Sequence, residues 1–299
     1  MAGRSELGEF LRTCRARVSP ETIGLLDQSG SVGGRRVPGL RREEVARLAG
    51  VSIDYYTRLE QGRHASPSEA VVEALSRVFS LDRAARAHLF DLARPARREP
   101  AHDHAQQRVR PAVHQMIASM AGNPAFLLGC RTDVLAANAL ARALLVDWRQ
   151  LPVRERNYTR WMLLAPEARA VHDDWPSVAA DAVGNLRLYA GRHPEDTRLA
   201  ELVDELTAAS PEFRTWWNGH RVQDRTYGTK QLTHPLAGPM TIHYEALVLP
   251  GDPDQTLFIY STDPGSRSTA NMRLLAMYAG QEGNGPEAAD APQHQKATT

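Results

Sequence analysis

The sequence predicts two domains: an all-α five-helix domain, then an α+β domain with an antiparallel sheet and a helical insert. Three observations predict this. Residues 1–94 carry short segments with apolar residues at helical spacing. The stretch PARREPAHDHA (95–105) has prolines and charges but no apolar period, and reads as a linker. Residues 106–279 give a hairpin pattern, a run of helical patterns and three strand patterns separated by turn residues, and 280–299 read as a disordered tail.

A chain of 299 residues, 42% hydrophobic and 24% charged, can bury two cores. The formal net charge of +1 hides an asymmetry. Residues 1–98 hold 17 arginines and 12 carboxylates, a balance of +5, whereas residues 99–299 hold 19 Lys and Arg against 23 carboxylates, a balance of −4. A polyanion is therefore expected on the first domain. All 5 tryptophans lie in the second, where they can build a roomy apolar interior. The two cysteines, Cys14 and Cys130, indicate no disulfide framework and suit a reducing cytoplasm. No apolar run suits a membrane span, and MAGRSELGEF does not read as a signal peptide.

In the first domain, Leu7, Phe10, Leu11 and Cys14 recur at helical spacing within Glu6 to Arg17. Pro20 and the stretch Gly24 to Gly39 break the period and read as a mobile arm, with Arg35 and Arg36 at its end either contacting phosphate or solvating a loop. Val45, Leu48 and Ala49 share one face of a second helix, which Gly50 can end in a left-handed conformation. Ser52 caps a third helix, with Tyr56 and Leu59 inward and Ile53, Asp54, Tyr55, Thr57 and Arg58 outward. A fourth runs from Ser68 to Phe79 with Val71, Leu75, Val78 and Phe79 on one face. A fifth, capped by Asp82, runs to Ala93 with Ala85, Leu89 and Leu92 inward. Two short helices around a glycine turn, the second with an outward face, form the unit that lays its second helix in the DNA major groove.

In the second domain, helices are expected over Val109–Met120, Leu140–Val146, Tyr158–Leu164, Trp175–Gly191, Glu195–Ala208, Glu212–Asn218 and Asn271–Tyr278. Ala125 to Asn138 reads as a hairpin, and Thr229–Pro235, Thr241–Leu249 and Thr256–Ser261 as strands. In the middle strand of the three, Ile242, Tyr244, Ala246 and Val248 alternate with His243, Glu245 and Leu247. Hairpin, insert and three antiparallel strands fit a PAS-like sensor.

The stretch LRREEVARLAGVSIDYYTRLEQG resembles the Cro and phage-repressor type of helix-turn-helix, a likeness that extends back to FLRTCRARVSP and forward to SPSEAVVEALSRVFSLD. SPEFRTWWNGHRV, KQLTHPLAGPMTIHYEAL and QTLFIYSTDPGS resemble the ligand-binding domain of MmyB-like transcription regulators. The first likeness implies double-stranded DNA as partner, with Ile53, Asp54, Tyr55 and Arg58 at base-facing positions and Arg41, Arg42, Ser52, Thr57, Arg63 and His64 near phosphates. Arg42 stands where the family carries a phosphate-gripping glutamine, and Ile53 and Tyr55 depart from its polar pattern, so no operator sequence carries over. Arg58 can pair with guanine. Asp54 can accept from a cytosine amine or order Arg58 four residues on, and Tyr55 is either base-facing or a half-buried ring. Glu60 resembles the family acid that pairs with a first-helix arginine, here Arg15, a structural contact.

The second likeness implies a sensor for a lipophilic or fatty-acid-like molecule. Candidate cavity residues are Phe126, Leu128, Trp161, Trp175, Tyr189, Trp216 and Trp217, with Arg187 either meeting a carboxylate head group or bonding Asp204 or Glu205. The expected whole is a homodimeric, cytoplasmic, nucleoid-associated regulator. The competing readings are a constitutive DNA-binding regulator whose second domain serves only dimerisation or partner binding, and a protein-interaction module that binds no DNA. An enzyme is not expected: Asp173, Asp174, His220 and His234 sit in no GxSxG, HExxH or CxxC motif. His102 and His104 lack further ligands at metal spacing, so neither metal nor cofactor is expected.

Overall fold

A computed structural model describes residues 2–21, 39–63, 66–93, 107–219 and 226–282. The expected arm up to residue 38, the linker, the tail beyond 282, and Arg35, Arg36, His64, His102, His104 and His220 lie outside the described residues.

Five helices build the first domain: α1 (Ala2–Arg17), α2 (Arg42–Ala49), α3 (Ile53–Glu60), α4 (Glu69–Val78) and α5 (Arg83–Ala93). Leu7, Phe10 and Leu11 of α1 meet Tyr56 and Leu59 of α3 and Leu75 of α4 in one buried cluster. The turn between α2 and α3 forms as its residues dictate. Gly50 takes φ 69°, and the Val51 N–H donates to Ala46 O at 2.9 Å, closing the end of α2. Ser52 Oγ then accepts from the Tyr55 N–H at 3.1 Å and opens α3. Three sequence expectations shift here. Leu48 is 41% exposed, and Ala46 takes its place in the core beside Val45 and Ala49. In α4 the buried face carries Val72 rather than Val71, which is half-buried. In α5 it carries Ala84 and His88 with Leu89, leaving Ala85 and Leu92 half-buried. Such i, i+3 windows admit two phases one residue apart, and only packing chooses.

The second domain begins with α6 (Pro111–Ser119), followed by β1 (Ala125–Leu128) and β2 (Val134–Ala137). An insert follows: α7 (Ala139–Leu144), two short 3-10 turns, α8 (Tyr158–Leu164), α9 (Pro166–Val171), α10 (Trp175–Arg192), α11 (Thr197–Ala209) and α12 (Pro211–Asn218). Then come β3 (Tyr227–His234), β4 (Gly238–Leu249), β5 (Asp252–Ser261) and α13 (Arg267–Glu282). Among the described residues the five strands form one antiparallel sheet in the order β2-β1-β5-β4-β3. Strand β1 is buried on both faces: Ala125 and Leu127 pack on Val113 and Ile117 of α6, whereas Phe126 and Leu128 face the insert.

In β4 the alternation holds over Met240, Ile242 and Tyr244, then fails. Val248 keeps its register opposite Thr256 yet is 59% exposed, against expectation, and Leu249, on the other face, joins the α6 cluster. Helix α9 was not expected; Pro166 starts it, and six residues are too few to display a period. Helix α13 outruns the expected Asn271–Tyr278 at both ends: Ser266 Oγ accepts from the Thr269 N–H, and Gly280, placed in the tail by sequence, is helical.

The two domains touch along α10. Leu188 belongs to the buried cluster of the first domain, Arg192 Nε donates to Asp91 of α5 at 2.9 Å, and Arg17 of α1 donates to the Gly219 carbonyl after α12.

Candidate DNA-reading face and effector cavity

Helix α3 is held from within by Tyr56 and Leu59 and from its end by Glu60. The Glu60 side chain is fully buried. Arg15 Nη2 donates to one oxygen at 2.7 Å and Arg42 Nε to the other at 2.8 Å. Burial alone would raise the Glu60 pKa, but these two guanidiniums outweigh it and hold the carboxyl below its usual range. The Arg15 contact is the one expected. The Arg42 contact was not expected: its Nε is held by Glu60, while the side chain stays 45% exposed.

On the other side of α3, Ile53 is 54% exposed and Asp54 and Arg58 are exposed. Arg58 Nη2 bonds to Asp54 Oδ2 one turn earlier, and that contact lowers the Asp54 pKa. In the free protein Asp54 therefore orders Arg58. Tyr55 is half-buried against the core, so its ring lies at the shoulder of the helix, and Thr57 is also half-buried. Arg41 and Ser52 are exposed before α2 and α3, and Arg63 is exposed just past α3, its N–H bonded to Arg58 O at 2.8 Å. A surface hollow of about 610 Å³ between α2 and α3 carries Glu43 and Glu44 beside Arg47, so its charges are mixed.

The sensor domain holds an interior cavity of about 40 Å³ between the sheet and α10. Phe126, Leu128, Phe258, Tyr158, Tyr244 and Tyr260 form its aromatic and aliphatic wall, Val178 and Ala182 its helix wall, and Thr132, Asp181, Asn185 and Lys230 its polar part. Lys230 Nζ donates to the Tyr260 hydroxyl at 3.3 Å and lies 4.7 Å from the Tyr244 ring centre. Burial raises the pKa of Tyr158 and Tyr260, so both phenols stay neutral.

Of the eight residues expected around a cavity, the structure brings Phe126 and Leu128 to it and places the other six elsewhere. Trp161 packs edge-on to Trp148 and His172. Trp175 Nε1 donates to Met162 O at 2.7 Å, with the Arg169 guanidinium 3.7 Å above its ring. Tyr189 donates to Asp196 at 2.9 Å, next to Arg131, which bonds the same carboxylate oxygen. Trp216 and Trp217 lie half-buried on α12. Arg187 does not line the cavity, and Glu205, one of the two acids expected beside it, pairs with Arg160. Arg187 donates to Trp217 O at 2.5 Å and lies over the Trp217 ring. Burial lowers its pKa to about 10, against the opposing charges of Glu6 and Glu9 of α1, so Arg187 stands at the domain junction. The polar cavity residues had a signal in the sequence. Val178, Asp181 and Asn185 recur at i, i+3, i+7, and Lys230 shares its strand face with the buried Leu232 and His234.

Residues 109–275 match the family model of the MmyB-like transcription regulator ligand binding domain, which spans more than half of the chain. The chain belongs to the MmyB-like transcription regulators. Residues 6–89 match a helix-turn-helix domain model, so this regulator joins a DNA-binding domain to a ligand-binding domain. No curated protein matches the chain. Both matched models are regulator domains rather than enzymes. The titratable groups weighed for catalysis have structural contacts here: Asp174 caps α10, Asp173 accepts from Thr233, and His234 bonds Ala143 O at 3.0 Å. Among the described residues no cluster of His, Cys, Asp or Glu is placed to hold a metal, and no helix is long and apolar enough to cross a membrane.

Proposed function

We propose that this MmyB-like regulator acts as a cytoplasmic, nucleoid-associated homodimer that reads a near-palindromic operator with α3 and responds to a lipophilic small molecule bearing an anionic head. Two such recognition helices lie one DNA turn apart, about 34–36 Å, in dimers of this fold. Ile53, Asp54 and Arg58 face the bases with the Tyr55 ring at the shoulder beside them, and Arg41, Ser52, Arg63 and the exposed part of Arg42 approach phosphates, with Thr57 at their edge. The observation that carries the reading is a pair of placements: an exposed Arg58 on a sealed helix, and a cavity in the second domain with aromatic walls and one polar end formed by Lys230, Asp181 and Asn185. An apolar body suits the Phe126, Leu128 and Phe258 walls, and a carboxylate suits Lys230.

The small volume of about 40 Å³ favours a second reading, a constitutive regulator whose second domain only dimerises or binds a partner. Native mass spectrometry of the full chain, with and without organic extraction and with added decanoate, separates the two. A dimer that carries an extractable acid or takes up decanoate supports the sensor. A protein that never acquires a small molecule supports the constitutive regulator.

A further inference from the structure

We propose that α10 transmits the state of the effector cavity to the DNA-reading domain, because one stripe of this helix lines the cavity and then seats that domain. The proposal rests on the cavity being the effector site. Val178, Asp181, Asn185, Leu188 and Arg192 fall at i, i+3, i+7, i+10 and i+14, a single face of a helix. The first three line the cavity. Leu188, one turn beyond Asn185, joins the buried cluster of the first domain. Arg192 holds Asp91 of α5 at 2.9 Å.

The contact has no slack. A Cβ on Gly191 would lie 2.6 Å from His88 Cε1, so the α10 backbone packs directly on the His88 ring of α5 and a larger residue would have to push that ring aside. The His88 ring is itself set edge-on against Phe10 of α1, 5.2 Å between centroids. Beside it, the buried Arg187 answers the Glu6 charge of α1 while its guanidinium rests on Trp217. A lateral shift of α10 therefore cannot be absorbed at this junction without moving α5 or α1.

The cavity makes such a shift necessary. Organic ligands occupy pockets of roughly 300–1,000 Å³, whereas the space present holds little more than water. An effector must push a wall outward. The sheet wall is tied by backbone hydrogen bonds across neighbouring strands, whereas α10 meets the cavity through side chains alone, those of Val178, Asp181, Ala182 and Asn185. Thus α10 is the wall that yields, and the DNA domain seated on its far end is displaced or released. Binding then favours the undocked arrangement by whatever affinity difference the two arrangements present to the effector.

Hydrogen–deuterium exchange on the full chain tests this with two substitutions and one probe. Ala182→Phe fills the cavity, and should speed exchange severalfold in α5 and α1, which do not line it. Should circular dichroism show that variant unfolded, Ala182→Met fills the same space with a more pliant side chain. Gly191→Leu wedges the junction directly and should speed exchange in the same two helices. Saturating decanoate should reproduce the effect of Ala182→Phe in the wild-type protein. If decanoate changes nothing while Ala182→Phe still loosens α5, the choice of effector is wrong and the coupling stands. Exchange changes confined to the sensor in the folded Ala182 variant, or α5 and α1 unaffected by Gly191→Leu, would overturn the coupling.

Discussion

The recognition helix and the effector cavity hold their polar groups in opposite surroundings. On α3, Asp54 and Arg58 stand in water above a sealed apolar face, and the helix is fixed from beneath by the buried Glu60 and its two arginines. In the sensor, Asp181 and Lys230 lie inside, among phenol and phenyl rings. The first surface is complete before its partner arrives and reads by shape and charge. The second must deform to admit a ligand, and its deformation falls on the helix that carries the other domain. Rigidity at one site and a yielding wall at the other are what a switch needs.

Substitutions at the two anchors probe this contrast most strongly. Phe126→Ala removes a ring that is 1% exposed and packed on Tyr158, Phe258 and Tyr260. It should destabilise the sensor by about 3–5 kcal/mol in chemical denaturation, because the sheet cannot collapse into the void. Glu60→Ala leaves the Arg15 guanidinium without its buried partner and should cost the first domain about 3 kcal/mol. If that variant instead matched wild type, α3 would be held by packing alone and the two anchors would not differ in kind.

Acid should separate the domains further. Burial drives His172 down to about 4, in a site where its Nδ1 meets Ala168 O at 2.8 Å. An unfolded imidazole takes its proton near pH 6.5, roughly. Between those values the unfolded chain binds the proton and the folded chain does not, so sensor stability is full above about pH 6.5 and declines as pH falls towards about 4. Replacing His172 with Gln should flatten that decline in thermal melts, whereas an unchanged slope would place the acid-sensitive group elsewhere. The smallest effect is expected at Ser52→Ala, which removes the cap of α3 and should lower stability by about 1 kcal/mol without moving the sensor.

How much of this was legible in the sequence follows from how local each cause is. The turn at Gly50, the cap at Ser52 and the inward Tyr56 and Leu59 are set within ten residues of one another, and the sequence displays them directly. The hairpin and the three turn-bounded strands are likewise visible in the sequence, whereas their order in the sheet rests on pairings between distant segments such as β1 and β5. The cavity was not legible from its tryptophans, because large rings pack wherever volume allows, and Trp161 and Trp175 went to the core. Lys230 and Asp181 were the better signals, polar groups on otherwise buried stripes. The domain junction left no trace: Leu188 read as an ordinary position of a long helix and Arg187 as a head-group contact, and nothing local says that a second domain covers them. Leu48 and Val248 went astray because a helical phase and the cover over the end of a strand are decided by partners distant in the chain.

The most direct test of the account is selection of duplexes from a random pool by the full chain, followed by affinity measurements on the winner for wild type and Arg58→Ala across a salt series. The account predicts a near-palindromic motif, with Arg58→Ala losing preference at one base pair per half-site by roughly ten- to hundredfold while its salt dependence changes little. No enriched motif, or an Arg58→Ala protein that prefers the same bases as strongly, would contradict it.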